Sequence, residues 1–148
     1  MIERTLIIVK PDGMQRGLAN EVIRRYEKAS LKVITKKIMS ADRALLRQHY
    51  SAHVSKPFYP SLERFMMEAP VLAFVLEGEN AIAKAREVTG ATDPNKASKG
   101  TIRGDLSDDS QEKADKEGRA IRNLVHASGN AAEAAIEINL WFPELGHQ

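Results

Sequence analysis

The chain has 148 residues, 43% of them hydrophobic and 28% charged, the balance of an ordinary globular domain rather than a disordered or fibrous chain. One domain over 1–148 is expected, because at this length roughly 70% of the unfolded chain's surface can be buried without disulfides or structural metal. The absence of cysteine excludes thiol catalysis, disulfide frameworks and thiolate zinc sites. No apolar stretch approaches the roughly 20 residues needed to span a bilayer. Only Leu6-Ile7-Ile8-Val9 precedes Lys10-Pro11-Asp12-Gly13, so the expected location is the cytoplasm, with no membrane partner and no secretory signal.

The net charge of +2 is uninformative, but its distribution is not. Asp105 to Glu117 holds six acids against two lysines, a local charge of −4 that leaves +6 for the remainder. Lys84, Arg86, Lys96, Lys99 and Arg103 cluster around one Gly-containing loop, which suits a small polyanion such as a nucleotide. Any single one of these side chains reads equally well as a solvated surface cation.

In chain order, Thr5 to Val9 is a β-branched apolar run that reads as a buried strand, closed by a turn at Pro11-Asp12-Gly13. Ala19, Val22, Ile23 and Tyr26 recur at helical spacing. Leu31 to Met39 reads as a strand exposed on one side. Ser40 is expected to cap a helix containing Leu45, Leu46 and Tyr50, and Ser61 a short one through Phe65 and Met66, stopped by Pro70. Lys56-Pro57-Phe58-Tyr59-Pro60 between them reads as an irregular aromatic corner.

Val71 to Leu76 is continuously apolar, the mark of a deep central strand. Asn80 is expected to open a helix through Ile82, Ala83 and Val88, with Gly90 as a left-handed C-cap. Residues 90–105 read as a long loop, and length alone makes it a candidate for function. Asn123-Leu124-Val125 reads as a short strand ending at His126. Asn130 then caps a last helix from Ala131 to Trp141, with Ala134, Ala135, Ile138, Trp141 and Phe142 inward. The skeleton is βαββαβ: an α+β, ferredoxin-like fold with a four-stranded antiparallel sheet and helices packed on one face.

Without cysteine, histidine becomes the residue type of interest. No Gly-x-Ser-x-Gly elbow, Walker loop or Asp-rich calcium loop is present. His147 lies in the polar tail and reads as idle. His49 and His53 are four apart on a predicted helix, a spacing that suits two ligands of one metal, but no third ligand or His-Glu-x-x-His pattern accompanies them. His126 differs, because it ends a predicted strand beside Ala127-Ser128-Gly129, where a side chain can reach a cleft. Lys10, Arg86, Thr92 and Arg103 fall at strand ends, helix ends or in the long loop, and together would cradle phosphates. A free imidazole, with a pKa of about 6.5, is mostly unprotonated at neutral pH and can attack a phosphoryl group directly. Residue types and spacing reach as far as possible phosphoryl transfer.

Three strings go further: Lys10-Pro11-Asp12-Gly13-Met14-Gln15-Arg16-Gly17-Leu18, Gly100-Thr101-Ile102-Arg103-Gly104-Asp105 and Arg122-Asn123-Leu124-Val125-His126-Ala127-Ser128. In this order they resemble the signature segments of nucleoside diphosphate kinases. The resemblance runs from Glu3-Arg4-Thr5 to Leu140-Trp141-Phe142. It implies transfer of the γ-phosphate of a nucleoside triphosphate to a nucleoside diphosphate, by a ping-pong route through a phosphohistidine on His126. It further implies that Glu137 binds the other ring nitrogen, and that Lys10, Tyr50, Arg86, Thr92, Arg103 and Asn123 surround sugar and phosphates. Phe58 then matches the aromatic on which the base stacks, with Leu62 beside it; stacking has little reason to prefer one base.

The resemblance also implies Mg²⁺ carried with the nucleotide, no dedicated metal ligands, no stable nucleic-acid partner, and a homo-oligomer, tetramer or hexamer. The family commonly has carboxylates where this chain has Ala52 and Gly129, so a water-bridged protein contact to magnesium is not expected here. Lys99 stands where proline is frequent, and Ala127 where glycine is. The stretch 106–120 is longer than the family usually shows, and reads as a surface insertion capped by Ser110 and broken at Gly118, or as a flap over the site. Two other readings are a non-catalytic nucleotide- or single-strand-binding module of the same fold and a paralogue inactivated by the Ala52 and Gly129 changes. An oriented His126 with Glu137, Arg86 and Arg103 speaks against the binder, which has no use for a nucleophile.

Overall fold

The computed structural model describes residues 1–145, so His147 lies outside the described residues. Four strands, β1 (Ile2–Val9), β2 (Lys32–Met39), β3 (Val71–Glu79) and β4 (Val125–Ala127), form one sheet in the order β2-β3-β1-β4. Every neighbouring pair is antiparallel, with β1 and β3 in unbroken register from Ile2 opposite Glu79 to Val9 opposite Leu72. This is the expected ferredoxin-like order. Among the described residues, seven α-helices connect the strands, α1 (Pro11–Gln15), α2 (Ala19–Lys28), α3 (Arg43–His49), α4 (Tyr59–Met67), α5 (Ala81–Thr89), α6 (Ile102–Leu106) and α7 (Gln111–Glu117), and α8 (Ala131–Trp141) follows β4.

The helices cover both faces of the sheet, not one. Side chains alternate along a strand, and from Leu6 to Val9 of β1 both alternating sets are apolar and fully buried. Ile7 and Val9 pack with Val22 and Tyr26 of α2, Ala81 and Ala85 of α5, and Ile102 of α6. Leu6 and Ile8 pack on the other side with Leu46 of α3, Phe65 and Met66 of α4, and Trp141 of α8. A strand pair apolar on both faces needs two covers, and the apolar run Val71 to Leu76 carried that information.

Several local expectations shift by a residue or more. Pro11-Asp12-Gly13 is not an open turn but the start of α1, with Pro11 in its first turn, where its missing N–H is not needed. Asp42, not Ser40, caps α3, its carboxylate accepting from the Leu45 N–H at 2.8 Å. Ser61 does not cap α4; the helix starts at Tyr59 and Ser61 lies inside it. Asn80 precedes α5 in a left-handed conformation and offers no side-chain cap. The long loop 90–105 contains a 3₁₀ turn at Pro94–Lys96 and the first residues of α6. In α8, Ala135 is exposed and Glu137 faces inward. Ser110 caps α7 and Gly118, at φ 65°, ends it, as the sequence predicts.

Candidate active site

β4 covers Val125–Ala127 and not 123–125, because Leu124 breaks the strand with φ 73°. A non-glycine residue in that region carries roughly 1–3 kcal/mol of strain and needs neighbours that enforce it. Here Asp12 accepts from the Leu124 N–H at 3.0 Å, and the Leu124 carbonyl accepts from the Lys10 N–H at 2.8 Å. The Val125 N–H also closes back on the Asn123 carbonyl at 2.9 Å. The start of α1 thus holds a bend that aims Asn123 and His126 into one cleft. Gly13 makes this approach possible: a Cβ there would lie 2.8 Å from Val9 and 3.1 Å from the Leu124 carbonyl oxygen.

The cleft has a volume of about 480 Å³. Lys10, Tyr50, Phe58, Leu62, Arg86, Thr92, Arg103, Asn123 and His126 all line it, so segments far apart in sequence converge on one cleft. Glu137 stands behind His126. Its Oε1 lies 2.7 Å from His126 Nε2 and also accepts from the Ser128 hydroxyl at 2.7 Å. A carboxylate only accepts, so in the neutral ring Nε2 carries the proton and Nδ1 keeps a lone pair. Burial alone would raise the Glu137 pKa; the hydrogen bond and charge of His126, with His49 and Ser128, outweigh it and hold the carboxyl below its ordinary range.

Arg103 is almost wholly buried, with Nε, Nη1 and Nη2 donating to the carbonyls of Asn123, Gly90 and Val125 at 3.1, 3.1 and 2.6 Å. Gly90 can offer that carbonyl because its φ is 92° and because a Cβ there would strike the Thr101 hydroxyl. Burial and the Arg103 charge push Lys10 down to about 8, against a smaller opposing pull from Asp12. The Lys10 ammonium donates to Asn123 Oδ1 at 3.0 Å, and Asn123 Nδ2 donates to the Thr92 carbonyl at 3.0 Å. Burial also drives the Tyr50 phenol well above its normal range, so it stays protonated, and its buried hydroxyl has no hydrogen-bond partner among the described residues. Arg86, Thr92 and Phe58 are exposed at the rim.

Histidine pairing differs from the predicted helix. α3 ends at His49, so His53 lies beyond it in a turn, 5.6 Å from the Phe58 ring. His49 instead meets His126 edge to face at 4.6 Å between ring centres, and its Nδ1 accepts from Trp141 Nε1 at 3.0 Å. Burial, helped by the His126 charge, lowers His49 to about 3 and keeps it neutral. His49, His126 and Glu137 bring ligand atoms within 4.8 Å of one another. Hydrogen bonds already account for His49 Nδ1, His126 Nε2 and Glu137 Oε1. Sequence reasoning missed His49 as the ring packed against His126, and also Gln111, Asp115 and Arg119, which line the cleft from α7 and just beyond it.

Fold and cleft together define a class: an α+β protein whose sheet supports a cationic cleft with a carboxylate-oriented histidine in its wall. The family model described as nucleoside diphosphate kinase matches residues 3–146. A nucleoside diphosphate kinase of Picosynechococcus sp. is 47% identical over 143 residues, covering 97% of this chain and 89% of the relative. One of Saccharopolyspora erythraea is 46% identical over 146 residues, 98% of this chain and all of the relative. Among solved structures, a transition-state mimic of the Borrelia burgdorferi nucleoside-diphosphate kinase with bound vanadate and ADP superposes with a TM-score of 0.92 at 39% identity, covering 99% of this chain and 90% of that one. The chain belongs to the nucleoside diphosphate kinase family.

Proposed function

We propose that this protein moves the γ-phosphoryl group of a nucleoside triphosphate to a nucleoside diphosphate in two half-reactions through His126. The His126 Nδ1 lone pair attacks the γ-phosphorus, the bond to the β–γ bridging oxygen breaks, and the diphosphate leaves with that electron pair. A second diphosphate then attacks the phosphohistidine with a terminal oxygen, and the electron pair of the broken N–P bond returns to Nδ1. The exchange is nearly balanced because one phosphoanhydride replaces another.

The observation that carries this reading is the 2.7 Å contact of Glu137 with His126 Nε2, in a cleft lined by Lys10, Arg86 and Arg103. Glu137 orients the ring and steadies the positive charge that develops on it as Nδ1 bonds to phosphorus. Phosphoryl transfer asks mainly for alignment and charge neutralisation, and Arg103, Arg86, Thr92 and Lys10 supply both around the phosphates. The free Tyr50 hydroxyl donates to them, Lys10 and Asn123 reach the ribose and bridging oxygens, and Phe58 with Leu62 receives the base.

The substrate is the magnesium complex of the nucleotide. Among the described residues lining the cleft only Asp115 bears a carboxylate, so the chain has no oxygen cage of its own there, which suits an ion held by substrate phosphates and water. The working form is a single-domain, cytoplasmic homo-oligomer, tetramer or hexamer, with 106–120 as an insertion. Among the described residues the eight-residue strand β2 has one edge without a neighbour, and Ile38 on it is 67% exposed, which favours assembly; sedimentation gives the size.

Incubation with γ-labelled ATP and magnesium tests the chemistry. Acid-labile, base-stable label on His126, discharged by added nucleoside diphosphates, is expected, and His126→Ala abolishes it without unfolding the protein. A native protein that never acquires the label overturns the mechanism.

A further inference from the structure

The geometry points to a base-reading role for helix α7: Gln111 and Asp115 form an acceptor pair that selects nucleobases with hydrogen-bond donors on their pairing edge, guanine foremost. The inference rests on the nucleotide reading above and adds a specificity determinant to it. Gln111 and Asp115 are four apart, hence one turn apart on one face of the helix, and both line the cleft that Phe58 and Leu62 share.

The helix is held in position from both ends. At its start, Ser110 caps it and the Gln111 N–H donates to Asp93 at 3.2 Å. Beyond its end, Arg119 forms a two-point ion pair with Asp109 at 2.7 and 2.9 Å, and Asp109 also accepts from the Arg122 N–H at 2.8 Å. Ala114 is fully buried beneath it.

Polarity follows from the hydrogen bonds. Gln111 Nε2 donates to Asp115 Oδ1 at 2.8 Å; since the carboxylate can only accept, this fixes the amide with its nitrogen toward Asp115 and leaves the Gln111 carbonyl oxygen without that partner. Arg119 also lines the cleft, but its Nε goes to Glu117 and its Nη atoms to Asp109 and the Ala120 carbonyl. Helix α7 therefore offers acceptors to the cleft from Gln111 and Asp115. A polyanion is repelled by the Asp115 carboxylate and drawn to Lys10, Arg86 and Arg103, which sets the nucleotide with its base toward α7.

Guanine carries two adjacent donors, N1–H and the exocyclic amine, and matches two acceptors. Adenine and cytosine offer one amine beside an acceptor nitrogen. Uracil and thymine flank their single N–H with carbonyls that face Asp115 unfavourably. Stacking on Phe58 sets a common level for all bases, and the acceptor pair ranks them above or below it.

The test is single-turnover discharge of purified, ³²P-labelled phosphoenzyme by GDP, ADP, CDP, UDP and dTDP, with wild type, Asp115→Ala, Asp115→Asn and Gln111→Ala. The wild type is expected to favour GDP over UDP by roughly tenfold, the equivalent of one net hydrogen bond. Asp115→Ala should bring the ratio close to one, and Asp115→Asn, which supplies a donor, should improve UDP relative to GDP. A GDP:UDP ratio that is equal in the wild type and all three variants overturns the inference while leaving the kinase reading intact. Failure of the wild type to form phosphoenzyme at all fails the kinase reading itself. Circular dichroism confirms that the exposed substitutions leave the fold in place, so a changed ratio reports on recognition.

Discussion

The inner wall of the cleft and its rim are built differently. Inside, Arg103 donates to three carbonyls, Lys10 to Asn123, Asn123 to Thr92, and His126 pairs with a carboxylate that also holds Ser128. At the rim, Phe58 is 51% exposed and its aromatic neighbour is His53, while Arg86 and Thr92 stand open. Reacting atoms need fixed geometry, whereas stacking itself needs only a flat apolar surface, which leaves any ranking of bases to the acceptors of α7. Rigidity is concentrated where transfer depends on angles and distances, and tolerance where different bases must be accepted.

That division predicts the largest loss from loosening the inner wall without removing the nucleophile. Glu137→Gln keeps the shape but removes the charge that orients His126. The rate of phosphoenzyme formation is expected to fall about 10²-fold, the scale of misplacing a reacting atom by about 1 Å, with nucleotide affinity little changed. Rapid quench measures it, and an unchanged rate would mean that the ring is held by its packing against His49 instead.

At the rim the effect should be smaller and of another kind. Phe58→Ala removes the stacking surface, worth about 1–3 kcal/mol per base, so KM is expected to rise roughly tenfold for every nucleotide while kcat at saturation stays near its original value. Steady-state kinetics with a purine and a pyrimidine substrate check this. A drop in kcat equal to the rise in KM would erase the distinction between rim and inner wall.

The difference between the two regions also explains what the sequence could tell. His126, Lys10, Asn123 and Arg103 were legible because they lie inside contiguous strings whose spacing is itself the signal. The reason they converge was less legible. Leu124 is held left-handed by Asp12, 112 positions away, on its N–H and by the Lys10 N–H on its carbonyl, and no local propensity announces that. His49 looked like half of a metal pair because period alone puts it beside His53; the helix stops, and its true partner, Trp141, is 92 positions away. The two-sided helix cover was present in the apolar runs of β1 and β3, whereas capping depended on competition between Ser40 and Asp42, two residues of similar capping strength. In α7 the cap, the acidic face and the terminating glycine were readable, but not the face that meets the cleft.

The finest test of the inner wall uses Lys10, whose pKa near 8 reflects burial first and the neighbouring Arg103 charge second. In the nucleotide-free protein the folded state disfavours the charged amine, so the unfolded chain holds more protons between about pH 8 and the ordinary lysine value of about 10.4. Stability should therefore rise with pH through that window, contrary to the usual alkaline decline. Bound phosphates reverse the sign, because their charge restores the ammonium. Nucleotide binding at pH 8 should take up as much as about half a proton, and affinity should fall as pH rises further. Calorimetry in two buffers of different ionisation enthalpy reads the uptake, and His126→Ala keeps phosphoryl transfer from contributing to the heat. At this pH the terminal phosphate of a diphosphate is already ionised, its second pKa being about 6, so the proton has few other destinations. Lys10→Arg, which stays charged throughout, should remove both the uptake and the rising stability; if either persists in that variant, the titrating group is not Lys10 and the cation facing the phosphates is fixed rather than tunable.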